Sequence, residues 1–171
     1  MQTALLRRLV LAALITSWAA GSALAQSTTV IVVRHAEKID DSADPLLSEP
    51  GRARAEALAD ALADAGVSTL ITTQYQRTRL TAAPLAERLG VAPTLVAASG
   101  RSHVEDVAAR VRELANGGTI VVVGHSNTVP AIIRALGGPD VGGIDDAEYD
   151  HLFILTLSDS GVRLIRSRYG R

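Results

Sequence analysis

Hydrophobic positions follow two spacings along the chain, short continuous apolar runs and stripes that recur every three or four residues. The runs are rich in β-branched residues, and most are followed by a helical stripe, an alternation typical of βα units. Apolar runs of this length fit strands that are covered on both faces. The pattern predicts strands over 28–33, 67–73, 94–96, 119–124, 152–157 and 162–166.

The helical stripes lie between these strands. The first helix is expected to begin at Ser48 and to stop at Gly66, and the second to run from Arg77 to Leu89. The two later stripes run from 104 to 114 and from 129 to 136. A short turn joins the last two strands, so the final strand should run antiparallel. We therefore predict an α/β fold, a three-layer αβα sandwich with a mostly parallel central sheet and an antiparallel edge strand.

The first 25 residues do not fit this domain. Arg7 and Arg8 precede an apolar run over 9–20, which ends in the small-residue sequence Ala23-Leu24-Ala25. This order is typical of a secretory signal peptide, and the run is too short to span a bilayer. We expect a signal peptide over 1–25, a single domain over 26–171, a periplasmic or secreted protein and no stable membrane anchor after cleavage.

Composition narrows the classes of partner. The chain has a formal net charge of −1 and only 3% aromatic residues, so neither a basic surface nor stacking platforms indicate a nucleic-acid partner. It contains no cysteine, which excludes disulfides, a lipoprotein anchor and thiolate metal sites. The domain must therefore be stabilised by packing alone.

Candidate chemistry lies where the predicted strands end. Arg34 and His35 close the first strand, His125 follows the fourth, and Arg77 begins the helix after the second. Ligands of open α/β sheets bind at the carboxyl ends of the strands, so these side chains should share one crevice. Guanidinium groups match phosphate oxygens, and helix N-termini favour anions. The arrangement predicts an anion site.

Four segments resemble the histidine phosphatase superfamily, which includes phosphoglycerate mutases and compact phosphohistidine phosphatases. The segments occur in the expected order and cover nearly the whole domain: Arg34-His35-Ala36-Glu37, Leu47-Ser48-Glu49-Pro50-Gly51, Arg77-Thr78-Arg79-Leu80-Thr81-Ala82 and Gly124-His125-Ser126. Glycine is common in that family where this chain has Ala36, and glutamine is common where it has Arg54. Neither difference affects the expected phosphate contacts.

The resemblance implies a catalytic mechanism. His35 would attack phosphorus to form a phosphohistidine, while Arg34, Arg77 and His125 neutralise charge on the phosphoryl oxygens. No metal and no cofactor would be needed. Neighbouring cations should disfavour protonation of His35 and keep its lone pair available. We read Glu37 as an ion-pair partner, although Arg34 could simply pair with it. Ser48 and Gly51 are explained by helix capping and close packing.

The resemblance also implies a general acid for the leaving group, and Glu105 lies in about the right place. The segment over 102–105 is also a capping-box pattern, in which the glutamate would have no catalytic role. Asp106, His103 and the acidic loop over 145–148 remain rivals. The sequence does not decide which of these groups is the general acid.

Four functions can be weighed against these residues. We expect a phosphomonoester hydrolase that acts on a small phosphorylated substrate or a phosphoprotein, such as a sugar phosphate or an envelope component. A phosphomutase is an alternative, but the domain has little material for the lid that would exclude water from the phosphoenzyme. A non-catalytic phosphate-binding module would not need both His35 and His125. A metal-binding protein is disfavoured, because Arg34 and Arg77 would repel a cation.

Overall fold

The computed structural model of the protein describes residues 27–170. The signal peptide predicted over 1–25 lies outside these residues. Within the described range, no helix has both the length and the apolar character needed to cross a membrane.

A six-stranded sheet forms the centre of the molecule, in the order β3-β2-β4-β1-β5-β6. Its strands are β1 Thr28–Arg34, β2 Val67–Thr72, β3 Thr94–Leu95, β4 Thr119–Gly124, β5 His151–Ser158 and β6 Gly161–Arg168. The pairs β1–β4, β2–β4 and β2–β3 are parallel, whereas β1–β5 and β5–β6 are antiparallel. The predicted mostly parallel sheet with an edge strand that pairs antiparallel is confirmed, but β5 is the strand that runs against β1, and β6 turns back to the direction of β1. A two-residue hairpin connection explains this, because β5 and β6 join the sheet as a unit.

Helices cover both faces of the sheet. They are α1 Glu49–Leu62, α2 Gln76–Leu89, α3 His103–Leu114 and α4 Val129–Ala135. Alternate residues of β1 face opposite layers: Ile31 and Val33 pack with α1 and α2, while Val30 and Val32 pack with α3 and α4. This arrangement is the predicted three-layer αβα sandwich.

The register between β1 and β4 fixes the position of the two histidines. Arg34 pairs with Gly124 at the carboxyl end of this ladder, so His35 and His125 are the next residues on the same edge of the sheet. The backbone N–H of His35 extends the ladder by donating to the Gly124 carbonyl at 2.9 Å. Main-chain pairing therefore brings the rings together before any side-chain contact is considered.

The start of α1 holds the loop after β1 in place. The Ser48 Oγ accepts a hydrogen bond from the Gly51 N–H at 3.2 Å, which confirms Ser48 as the N-cap. A Cβ atom on Gly51 would lie 2.1 Å from the Glu37 carbonyl oxygen, so the close packing expected at this glycine is present. The loop after β1 therefore packs against the N-terminus of α1.

Candidate active site

A cavity of about 480 Å³ opens at the carboxyl ends of β1 and β4. Its lining includes all four side chains that the sequence predicted to meet: Arg34, His35, Arg77 and His125. The two histidine ring centroids are 5.4 Å apart in an edge-to-face arrangement. The geometric part of the prediction, convergence of these groups in one crevice, is therefore what the structure shows.

His35 is held in one tautomer. Its Nδ1 lies 2.8 Å from the Ala36 carbonyl oxygen, and because a carbonyl can only accept, Nδ1 carries the proton. The lone pair is then on Nε2. Burial lowers the pKa of His35 to about 4, helped by the charges of Arg34 and Arg77, although the hydrogen bond to Ala36 acts in the opposite direction. The ring is neutral at physiological pH, with a free nitrogen to act as a nucleophile.

His125 shares this neutral state. Burial lowers its pKa to about 3, with smaller contributions from His35 and Arg77. Its backbone N–H donates to the Thr128 Oγ1 at 3.0 Å, which fixes the turn between β4 and α4. The Nε2 atom of His125 is buried and has no hydrogen-bond partner among residues 27–170. A buried polar atom without a partner next to a cavity is suited to contact a bound ligand.

The loop before β5 positions Arg34. One guanidinium nitrogen of Arg34 donates to the backbone carbonyls of Asp145, Asp146 and Glu148 at 2.8 to 3.1 Å, and the guanidinium lies 4.0 Å from the Tyr149 ring centroid. Arg34 therefore does not pair with Glu37, the alternative partner considered from the sequence. Its Nε is buried and has no partner within the described part of the chain.

Arg77 is held more loosely at the start of α2. Its guanidinium lies 4.2 Å from the Tyr75 ring centroid and 3.9 Å from the Asp44 carboxylate, and one nitrogen donates to the Ala43 carbonyl at 3.4 Å. These long contacts leave its planar set of donors available to an anion. Two arginine cations and two neutral imidazole rings thus line the same cavity.

Comparison with known families agrees with this geometry. A model described as the histidine phosphatase superfamily (branch 1) matches residues 30–99, a stretch that contains Arg34, His35 and Arg77. This match spans 70 of the 171 residues of the chain, so it is a similarity to that superfamily over the first half of the described domain. None of the curated protein sequences compared with the chain matches.

Solved structures of phosphatases share the fold of this chain. A mycobacterial glucosyl-3-phosphoglycerate phosphatase has a TM-score of 0.64 and 18% identity, and the match covers 84% of this chain and 99% of that one. SixA from Agrobacterium tumefaciens, a candidate phosphohistidine phosphatase, has a TM-score of 0.62 and 22% identity over 80% and 95% of the two chains. A candidate alpha-ribazole-5'-P phosphatase from Escherichia coli has a TM-score of 0.66 and 14% identity over 82% and 96%. At these identities, the likeness concerns the fold.

Glu37 is an ion-pair partner, as predicted, and its partner is Arg54. The two side chains meet through hydrogen bonds of 2.7 to 2.9 Å. Burial raises the pKa of Glu37, but the hydrogen bonds from Arg54 outweigh burial, and the net pKa lies below its usual range. Arg54 also donates to the carbonyls of Tyr169 and Gly170, so the pair joins the loop after β1 to the end of β6. The arginine found where the family often has glutamine is a structural contact.

Glu105 lies away from the cavity. It is exposed on α3 and is not among the residues that line the cavity. The capping box considered for this segment is also absent, because the Ser102 side chain makes no cap bond and its Oγ lies 2.9 Å from the Asp106 carboxylate. The reason is helix phase: two residues separate Glu105 from the buried His103, a rotation of about 200° around the helix axis. The structure therefore gives no support to Glu105 as the acid.

Several lining residues were not singled out from the sequence. Tyr75, Ser126 and Asn127 line the cavity, and the Tyr75 ring lies 5.6 Å from the His125 ring. Tyr149 is not part of the lining but covers the Arg34 guanidinium. The position of Tyr75 two residues before Arg77 was the available signal. Tyr149 lies in an irregular loop, where hydrophobic periodicity gives no signal. Among residues 27–170, no group of three or more histidine, aspartate or glutamate side chains could hold a metal ion.

Proposed function

We propose that the protein hydrolyses phosphomonoesters through a phosphohistidine formed on His35. The observation that carries this proposal is the hydrogen bond from Nδ1 to the Ala36 carbonyl, which leaves the Nε2 lone pair free in a cavity lined by Arg34 and Arg77. A nucleophile must be unprotonated and oriented, and this ring meets both conditions.

The chemistry divides into two displacements. In the first, the Nε2 lone pair of His35 attacks phosphorus, the ester P–O bond breaks, and its electron pair leaves with the alcohol oxygen. In the second, water attacks the phosphohistidine, and the P–N bond pair returns to Nε2. Arg34 and Arg77 would stabilise charge on the transferring oxygens, and this electrostatic contribution is the main source of catalysis in phosphoryl transfer. This proposal uses no metal.

The substrate is proposed to be an extracytoplasmic phosphorylated molecule. Support comes from the signal-peptide pattern over 1–25 and from two structural neighbours, which are named for a sugar phosphoglycerate and for phosphohistidine. A sugar phosphate, an envelope component or a phosphoprotein fits these observations. Fractionation of cells that express the full chain should place it outside the cytoplasm, with a mature N-terminus at Gln26. Retention of residues 1–25 on a cytoplasmic protein would contradict the location.

The activity can be tested on an artificial substrate. We expect purified protein to hydrolyse 4-nitrophenyl phosphate in the presence of a chelator. His35→Ala should lower kcat by at least about 10⁴-fold, because removal of a nucleophile cannot be compensated by binding. His151→Asn is the matched control, since His151 lies outside the cavity lining and pairs with Glu148. Phosphate binding without turnover would indicate a non-catalytic module, and phosphoryl transfer to a second substrate position without hydrolysis would indicate a mutase.

A further inference from the structure

A third histidine lines the cavity and has no role in the chemistry described above. His103 is the first residue of α3, is only 5% exposed, and contributes to the same cavity as His35 and His125. Its Nδ1 lies 3.1 Å from the Ala97 carbonyl oxygen, so Nδ1 is the donor of that contact.

The other ring nitrogen of His103 is unsatisfied. Its Nε2 is buried and has no hydrogen-bond partner among the described residues. Leaving such an atom unpaired costs free energy, and native structures rarely retain one without a functional reason. The ring is also close enough to His125 for its charge to help lower the pKa of that residue. A fixed ring with one free nitrogen is thus placed beside the phosphate-binding groups.

We propose that His103, through Nε2, is the general acid that protonates the leaving group. This inference rests on the proposed phosphatase function. In this role Nε2 carries the proton that is delivered to the leaving oxygen. The bond between Nδ1 and Ala97 fixes the ring orientation, so Nε2–H is the only proton that His103 can deliver into the cavity.

The proton that His103 gives up in the first step is recovered in the second. When His35 attacks and the ester bond breaks, the Nε2 proton of His103 passes to the leaving oxygen and the product is a neutral alcohol. The neutral His103 then takes a proton from the water that attacks the phosphohistidine. Inorganic phosphate leaves, and both histidines return to their starting states.

Two carboxylates are compared with His103, since the other candidates from the sequence, Asp106, Asp145 and Glu148, do not line the cavity. Glu105 is exposed and does not line the cavity. Asp146 does line the cavity, but its side chain is 96% exposed and lies 3.5 Å from Arg34 as a solvent-facing ion pair. His103 is the buried one of the three.

The test uses substituted phenyl phosphates whose leaving groups range from 4-nitrophenol to 4-methoxyphenol. His103→Asn removes Nε2 and can keep a side-chain N–H for the Ala97 carbonyl, which preserves the start of α3. We expect kcat/KM of His103→Asn to fall by about 100-fold or more for the methoxyphenyl ester and by less than about fivefold for the nitrophenyl ester, because only the poor leaving group needs a proton. Glu105→Gln, changed on the same helical turn, should follow the wild type across the series.

The other outcomes overturn the inference. An equal loss for both esters would indicate a positioning role for His103, and no loss would indicate no role. A selective loss in Glu105→Gln or Asp146→Asn, with His103→Asn unaffected, would move the acid to that carboxylate. If the wild type hydrolyses no ester in the series, the proposed function fails and this inference with it. An active wild type with an unselective His103→Asn overturns the inference alone.

Discussion

On one side of the cavity, Arg34, His35 and His125 stand at the ends of two strands whose register is fixed by backbone pairing. On the other side, the lining comes from irregular segments within 38–45 and 98–101, from the start of α3, and from Asp146. Backbone pairing fixes where the groups proposed to bind phosphate leave the strands, while the loop before β5 holds the Arg34 guanidinium. The loop side holds the groups that would meet the rest of the substrate. In the proposed chemistry, attack on phosphorus belongs to the strand side, whereas protonation of the leaving group and substrate choice belong to the loop side.

The largest effect should follow from a change on the phosphate-binding side. Arg77→Ala removes a cation with few competing contacts, and kcat/KM for an aryl phosphate should fall by about 10²- to 10³-fold. Arg77→Lys keeps the charge without the planar donors and should lose less. Steady-state kinetics on both variants checks this. An Arg77→Ala variant with near wild-type kcat/KM would remove Arg77 from the phosphate site.

A smaller effect should follow where the loop side is anchored. Gly51→Ala places a methyl group 2.1 Å from the Glu37 carbonyl oxygen, a contact with backbone that a side-chain rotation cannot relieve. We expect a loss of about 2 to 3 kcal/mol in the free energy of unfolding, measured by denaturant titration. Gly143→Ala is the control, because nothing lies within 4 Å of its added methyl group. Equal stability of both variants would show that the loop after β1 is not held by this packing.

The smallest expected effect is a dependence of the unfolding free energy on pH. It arises from His35, the buried histidine at the end of β1. The pKa of His35 is lowered to about 4 from its ordinary value of 6.5. The unfolded chain therefore takes up a proton first as pH falls, so this stabilising contribution is complete above pH 6.5 and is lost as pH decreases towards 4. Between pH 7 and 4.5, the wild type should lose about 2 kcal/mol more unfolding free energy than His35→Asn. Parallel losses in both proteins would show that His35 is not buried in its neutral form.

The strand side was largely predictable from the sequence. The apolar runs over 28–33 and 119–124 leave little choice of structure, and Arg34 and His125 follow them directly. Parallel pairing of β1 and β4 then places both histidines on one edge. Local sequence and tertiary contacts agree here, which is why the prediction succeeded.

The loop side was predicted less well, for two physical reasons. Periodicity carries no information about the segment over 137–149, so the contacts of Arg34 with the carbonyls at 145, 146 and 148 could not be anticipated. That His103 and not Glu105 lines the cavity could have been anticipated, because His103 lies four residues before the buried Val107 and shares its face of the helix. Extending the apolar stripe back by one turn would have selected His103.

The central claim is that a covalent phosphohistidine forms on His35, and trapping it is the most direct test. Protein quenched in alkaline denaturant during turnover of 4-nitrophenyl phosphate should carry one phosphoryl group on the peptide that contains His35. The modification should be lost in acid and absent from His35→Ala. A phosphoryl group on another residue, or turnover without any trapped intermediate under conditions that give a burst of nitrophenol, would contradict the account.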